Sequence, residues 1–301
     1  MNVSLVGNIT QPTILRDSFS TAVAKNVIVV SLCISINYIN GTLVHTFIKH
    51  EIFNGNPRYI LFIHMVFNDM IQLMIAVLLH VLSYIVFTIN VSFCCVLLMI
   101  ATFTTLNTPL NLAAMAIERY IAICNPLRHA QICTVSKTYI LISLIWSLNA
   151  IQALPDLFVL LATQPQTFFY SNIFCFRDYV FNNPYMITIV YTYIKIMFVA
   201  KSTSLDAGKA RSTILLNGIQ LLMCLLTFAG PFLDKLEIRF LNYVVIHIMP
   251  RFVSPIVYGL RDQTFSKYLK RYLLCTMFEM RSTIKTLQPK KNLAKVSDKS
   301  I

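Results

Sequence analysis

The sequence predicts an all-α integral membrane protein, a bundle of seven transmembrane helices followed by a short cytoplasmic amphipathic helix. Three observations carry that expectation. The 301 residues are 56% hydrophobic and only 12% charged, whereas soluble domains carry about 25% charged residues. The apolar residues fall into seven runs, most of them near the roughly 20 residues that a helix rising about 1.5 Å per residue needs to cross a bilayer. The basic residues collect in alternate connections between those runs, the asymmetry that orients membrane helices.

Residues 1–25 are polar, include Arg16 and Lys25, and contain no apolar stretch ahead of the first long run, so the first helix itself is expected to direct insertion. Two glycosylation sequons start at Asn2 and Asn8, and two within ten residues of a segment expected outside the cell make both acceptor candidates. The sequons at Asn40 and Asn90 are discounted, because the first lies inside an apolar run and the second hugs the membrane.

The runs cover roughly 26–48, 58–84, 93–123, 138–162, 184–200, 213–233 and 240–260. Lys49 and Arg58 lie in the first connection, Arg128 and Lys137 in the third, and Lys201, Lys209 and Arg211 in the fifth. Ten of the 25 Lys and Arg follow Gly259, whereas the second connection, Ile85 to Ser92, has none. These loops predict an external N-terminus and a cytoplasmic C-terminus. The expected organisation is an extracellular segment 1–25, a seven-helix domain 26–262, and a cytoplasmic amphipathic helix with a basic tail over 263–301. Pro109, Pro155, Pro231, Pro250 and Pro255 lie in or near the spans, as packed membrane helices allow when neighbours satisfy the freed carbonyls.

The most informative stretch is Met115 to Arg128. Residues 93–117 carry no charge, and then Glu118 and Arg119 stand side by side ahead of Asn125-Pro126. On a soluble helix this would be an ordinary solvated pair. At the end of an uncharged run of spanning length it marks a membrane boundary, where ionisable groups are costly and persist where they have a task.

A formal net charge of +13 raises nucleic acid as a partner. Its placement in short loops and the tail is explained better by membrane topology, so no nucleic-acid partner is expected. The eight cysteines form no C-x-x-C pair and no cluster of metal-binding spacing with the six histidines, so neither a metal site nor a cofactor is expected. His45, His50, His64, His80, His129 and His247 read as loop or packing residues.

The motifs are those of a known family. Met115-Ala116, Glu118-Arg119-Tyr120, Ala122-Ile123-Cys124 and Pro126-Leu127, with Trp146 in the fourth run and Ser254-Pro255-Ile256-Val257-Tyr258 in the seventh, resemble a rhodopsin-like G-protein-coupled receptor. The wording around the acid and at Arg261 is similar to the odorant receptors. Pro57-Arg58-Tyr59-Ile60-Leu61-Phe62 and Arg261-Asp262-Gln263-Thr264-Phe265 are most similar to fish members of that branch. The likeness extends to about Cys275.

The resemblance implies a small-molecule odorant and a heterotrimeric G protein as partners, within membrane lipid. It implies that Glu118, Arg119 and Tyr120 form the cytoplasmic switch, with Arg119 held by Glu118 at rest and Tyr258 joining the rearrangement. It also implies a disulfide from Cys94, at the outer end of the third run, to Cys175, with adjacent Cys95 as the rival partner. Asp69 would belong to a polar core with the seventh helix, but Ser254 stands where the family usually has Asn or Asp, and Thr108 where many odorant receptors have an acid. Ala101, Thr102, Thr105 and Leu106 fall on the family's ligand-facing positions, and Ala101 replaces the acid that holds protonated amines. A modest, uncharged ligand is expected, while a plain helix-packing role stays open for each of the four. Cys275, after the amphipathic stretch Thr264 to Leu274, is a palmitoylation candidate.

Two stretches depart from the pattern. Residues 184–200 give a fifth span of about 26 Å interrupted by Lys195, and after Pro231 only Phe232 and Leu233 precede the charged run from Asp234 to Arg239. The fifth and sixth helices therefore look shortened, and the alternative is a non-functional receptor copy with impaired ligand binding. A transporter would show paired inverted repeats, which are not found. An intramembrane enzyme would need a nucleophile with a base or metal ligands, which Asp69 alone does not supply.

Overall fold

The computed structural model describes residues 18–86, 88–175, 239–253 and 267. Within them lie four helices long and apolar enough to cross a membrane. They are α1 (Phe19–Lys49), α3 (Pro57–Ile85), α4 (Val91–Cys124) and α6 (Val135–Thr163). Shorter pieces join them: α2 (Glu51–Asn54), β1 (Ile89–Asn90), α5 (Pro126–Ile132), α7 (Gln166–Phe169) and β2 (Asn172–Ile173). The start of the seventh run is helical as α8 (Arg239–Tyr243) and passes into a π-helical turn, Val244–Ile248. The expected fifth and sixth helices lie outside the described residues.

Three of the four long helices, α3, α4 and α6, start at a side-chain cap. Asn56 Oδ1 accepts from the Arg58 amide at 3.1 Å, with Pro57 in the first helical position of α3. There the ring's missing N–H costs nothing and its fixed φ favours the helix. Asn90 Oδ1 accepts from the Ser92 amide at 2.9 Å and caps α4, and Thr134 does the same for α6. These contacts satisfy N–H groups left without intrahelical partners. The first helix begins at Phe19, ahead of the apolar run that opens at 26. Here polar residues continue a helix that the apolar stretch alone does not delimit.

Packing places α3 and α4 at the centre, with α1 against α3, α6 against both α4 and α3, and the π-helical turn against α1 and α3. A core cluster including Leu43, Phe53, Leu61, Met65, Met115 and Ile145 joins α1, α2, α3, α4 and α6. Phe53 is fully buried and meets the Tyr59 ring edge-on at 4.9 Å, so the first connection is folded into the core. On α6, Ile140, Leu144, Ile151 and Phe158 remain exposed. Their spacing makes one apolar stripe along the helix, of the kind that suits contact with lipid.

At the far end of α4, β1 pairs antiparallel with β2, with Ile89 opposite Ile173 and Asn90 opposite Asn172. The Val91 amide donates to the Ser171 carbonyl at 3.0 Å, and Ser92 Oγ donates to the Phe169 carbonyl at 2.9 Å. A second cluster, including Val91, Cys94, Leu98 and Leu160, is covered by Phe168, Phe169 and Ile173.

Candidate functional site

Most of the candidate side chains are strung along α4, whose 34 residues reach about 51 Å. At its start, Cys94 is joined to Cys175 in a disulfide, with Cα atoms 5.6 Å apart, inside the usual bridging range. Cys95 is a free, buried thiol. The connection after α6 is thus held over this end of the bundle by a covalent bond, a two-residue ladder and an apolar cluster.

Two to three turns further along, the four ligand candidates have different surroundings. Ala101, Thr102 and Thr105 are half-buried, whereas Leu106 is 3% exposed and belongs to the main packing cluster. The Thr102 hydroxyl donates back to the Leu98 carbonyl at 2.8 Å. The Thr105 hydroxyl accepts from Gln72 Nε2 at 2.7 Å, so α3 holds that side chain in place.

Mid-bundle, α3 and α4 share a buried polar layer, in which the sequence points to Asp69 and Thr108 but not to Asn68, Asn107 or Asn111. Asn68 Nδ2 donates to the Thr104 carbonyl at 2.9 Å and to Thr108 Oγ1 at 3.0 Å, and Asn68 Oδ1 accepts from Asn107 Nδ2 at 3.0 Å. Asn111 Nδ2 donates to the Leu61 carbonyl at 3.2 Å. Asp69 is 1% exposed, and its Oδ1 lies 3.5 Å from Thr108 Oγ1. The signal was present as polar residues at helical spacing: 68 and 72 on one helix and 104, 107, 108 and 111 on the other, inside otherwise apolar runs. Trp146 Nε1 donates to His64 Nε2 at 2.9 Å and ties α6 to α3.

At the other end of α4, Glu118 is buried, 7% exposed, and Arg119 beside it is half-buried. The Glu118 carboxylate lies 3.0 Å from His129 Nε2 on α5. His129, expected as a loop or packing residue, lies in the loop and also partners Glu118. The sequence cue was the proline at the first position of α5, which starts a helix and turns His129 back toward α4. Near this pair the Cys133 thiol is pushed above its usual value by burial first and by the Glu118 carboxylate second, with Lys137 opposing.

Asn40 is fully buried, and Asn90 is occupied in capping α4. Tyr258, Ser254, Cys275, Asn2 and Asn8 lie outside the described residues, as does the side chain of Tyr120.

A helix bundle bridged at one end, polar in its middle and charged at the other end fits a seven-helix membrane receptor. The family model for the seven-transmembrane receptors of the rhodopsin family matches residues 39–205, and the chain belongs to that family. Within it, the chain is of the odorant-receptor type. It is 31% identical over 271 residues to Odorant receptor 131-2 of Danio rerio, covering 80% of this chain and 83% of that one. A shorter stretch of 56 residues is 41% identical to neurotensin receptor type 1 of Rattus norvegicus and of Homo sapiens, 19% of this chain and 13% of each of those.

Proposed function

We propose that the chain is an odorant receptor of the plasma membrane that binds a small, uncharged odorant within the helix bundle and activates a heterotrimeric G protein. The observation that carries this reading is the division of labour along α4. One end is fastened by Cys94 to the connection bearing Cys175, and the other carries Glu118 and Arg119 beside α5. The odorant would meet Ala101, Thr102, Thr105 and Leu106 below the bridged connection. No acid stands at Ala101 to hold a protonated amine, and apolar and hydroxyl side chains suit a neutral ligand. A ligand that binds two arrangements of the bundle unequally shifts their populations. Glu118, Arg119, Tyr120 and Tyr258 would be the residues that present the change to the G protein.

The basic loops support an external N-terminus, glycosylated at Asn2 and Asn8, and a cytoplasmic tail anchored in lipid through Cys275. Expression of an N-terminally tagged receptor, with surface staining of unpermeabilised cells and cyclic-AMP readout against an odorant panel, tests this reading. Surface delivery with odorant responses that vanish in Arg119→Ala is the expected result. Delivery without response to any odorant would favour the non-functional copy, the reading that the short runs at 184–200 and 213–233 favour.

A further inference from the structure

Two faces of α3 pack against different neighbours, and only one of them meets the helix that carries the ligand candidates. Ile75, Leu79 and Leu82 pack into the apolar cluster of α4 around Val91 and Leu98. Leu73, Val77 and Val81 pack instead with Val29 and Ile36 of α1 and with Ile248 of the seventh helix. At about 100° of turn per residue, these two sets lie on opposite sides of α3. On the second side, close to where α3 leads through β1 to the bridged Cys94, four rings meet. His80 stacks on Tyr243 with centroids 4.6 Å apart and planes at 18°, while Tyr84 and Phe240 approach the His80 ring obliquely at 5.1 and 6.2 Å. From α1, Lys25 Nζ stands 5.5 Å from the Phe240 centroid. All four rings are half-buried.

Two polar atoms of this cluster have unmet hydrogen bonds. His80 Nε2 and the Tyr243 hydroxyl are buried, and neither has a hydrogen-bond partner among the described residues. Packing alone does not account for them, because buried polar groups are as a rule paired and leaving one unpaired is costly. Phenylalanine at both positions would supply the same rings without that cost. Directly after Tyr243 the chain passes from α8 into the π-helical turn Val244–Ile248, a local widening of the helix that is frequent at functional sites. The ring of His247, inside that turn, stands 5.4 Å from Tyr243 on the side away from the Tyr243–Phe240 turn of α8.

We propose that His80, Tyr84, Phe240 and Tyr243 form a second ligand subsite between α1, α3 and the seventh helix, which takes a small uncharged aromatic alcohol. The aromatic body lies against the oblique ring faces. Its hydroxyl, a donor and an acceptor at once, takes up the open hydrogen bonds of His80 Nε2 and the Tyr243 hydroxyl. A hydrocarbon of the same shape leaves both unmet, so the subsite selects by the hydroxyl rather than by bulk. The inference rests on the reading of the chain as a small-molecule receptor and deepens it, but it needs no G protein, so binding can be tested in a chain that does not signal.

Photolabelling of the full-length receptor in lipid nanodiscs, with a benzyl alcohol that carries a diazirine on its ring, tests the subsite by peptide mass spectrometry. Labels are expected on the peptides bearing Tyr84 and Phe240 to Tyr243, and excess benzyl alcohol should displace them where toluene at the same concentration does not. His80→Phe and Tyr243→Phe keep the rings and remove the polar atoms, and each should lower the displaceable labelling about fivefold. Where a variant cannot be purified, the contrast between benzyl alcohol and toluene in the parent protein decides. Labelling that benzyl alcohol does not displace, or that toluene displaces equally, is partition into lipid and would overturn the subsite. Displaceable labelling confined to the α4 peptide bearing Thr102 and Thr105 would also overturn it, while leaving the receptor reading in place.

Discussion

Glu118 Oε1 and His129 Nε2 stand 3.0 Å apart, and this contact joins the end of α4 to the loop helix α5. The Glu118 side chain is 8% exposed and that of His129 26%, so the acid is more deeply held than its partner. A hydrogen bond to a charged group contributes about 1.5–3 kcal/mol net. If Glu118 restrains Arg119 at rest, the partner that fixes Glu118 also sets how often the switch opens by itself. His129→Ala should raise odorant-free cyclic-AMP output severalfold per surface receptor, and His129→Gln, which keeps a donor in reach, should stay closer to the parent. Basal output unchanged in His129→Ala at normal surface delivery would remove His129 from the switch.

The Cys133 thiol offers a chemical probe of the same corner. Burial and the Glu118 carboxylate both disfavour the thiolate, so Cys133 stays protonated at neutral pH, and alkylation should be slow there and accelerate as pH rises past the ordinary thiol range. Glu118→Gln removes the second of these effects and should speed labelling at a given pH, whereas Lys137→Ala should slow it. Maleimide labelling of inside-out membranes, read by mass spectrometry at Cys133, gives the order directly. Equal rates in all three proteins would show that the carboxylate does not reach the thiol.

The spans were legible because the bilayer imposes one simple period: an uncharged length bounded by polar residues. Runs read as 58–84, 93–123 and 138–162 correspond to helices Pro57–Ile85, Val91–Cys124 and Val135–Thr163. The start of α1 at Phe19 was less legible, since Ser20 and Lys25 belong to the helix but carry no apolar signal. The polar layer around Asn68 is not legible for a different reason. A polar residue in an apolar run has no readable partner until the crossing helices bring positions some 36 to 40 residues apart together. His129 was read as a loop residue because a seven-residue loop helix such as α5 has too few positions to show a face.

The bridge between Cys94 and Cys175 spans 81 residues. A closed loop of that size is worth at most about 4.5 kcal/mol on the chain-entropy relation. The gain is smaller here, because insertion of α4 and α6 already confines both ends. Cys94 is fully buried among Val91, Leu98 and Leu160, so the bond also holds the apolar cover in place. Cys94→Ser and Cys175→Ser should each reduce surface delivery to a similar low level, with no further loss when combined. Cys95→Ser should be delivered like the parent; a loss equal to that of Cys94→Ser would make Cys95 the true partner.

Asn68 is the residue through which the α3–α4 polar layer is connected, since it donates twice and accepts once. Hydrogen bonds between membrane helices average about 0.6 kcal/mol each, because a helix separated within the bilayer finds other partners. Three such bonds therefore contribute about 2 kcal/mol at this one side chain. Asn68→Leu keeps the number and branching of the heavy atoms, with bulkier methyl ends, and removes all three, leaving the Asn107 amide and the Thr104 carbonyl without their partner across the helices. Asn107→Leu removes one of the three. The melting temperature of the solubilised receptor should fall several degrees for Asn68→Leu and clearly less for Asn107→Leu. The double variant should resemble Asn68→Leu alone, because both substitutions break the same bond. Additive losses would show that the two asparagines act independently and that the layer is not organised through Asn68.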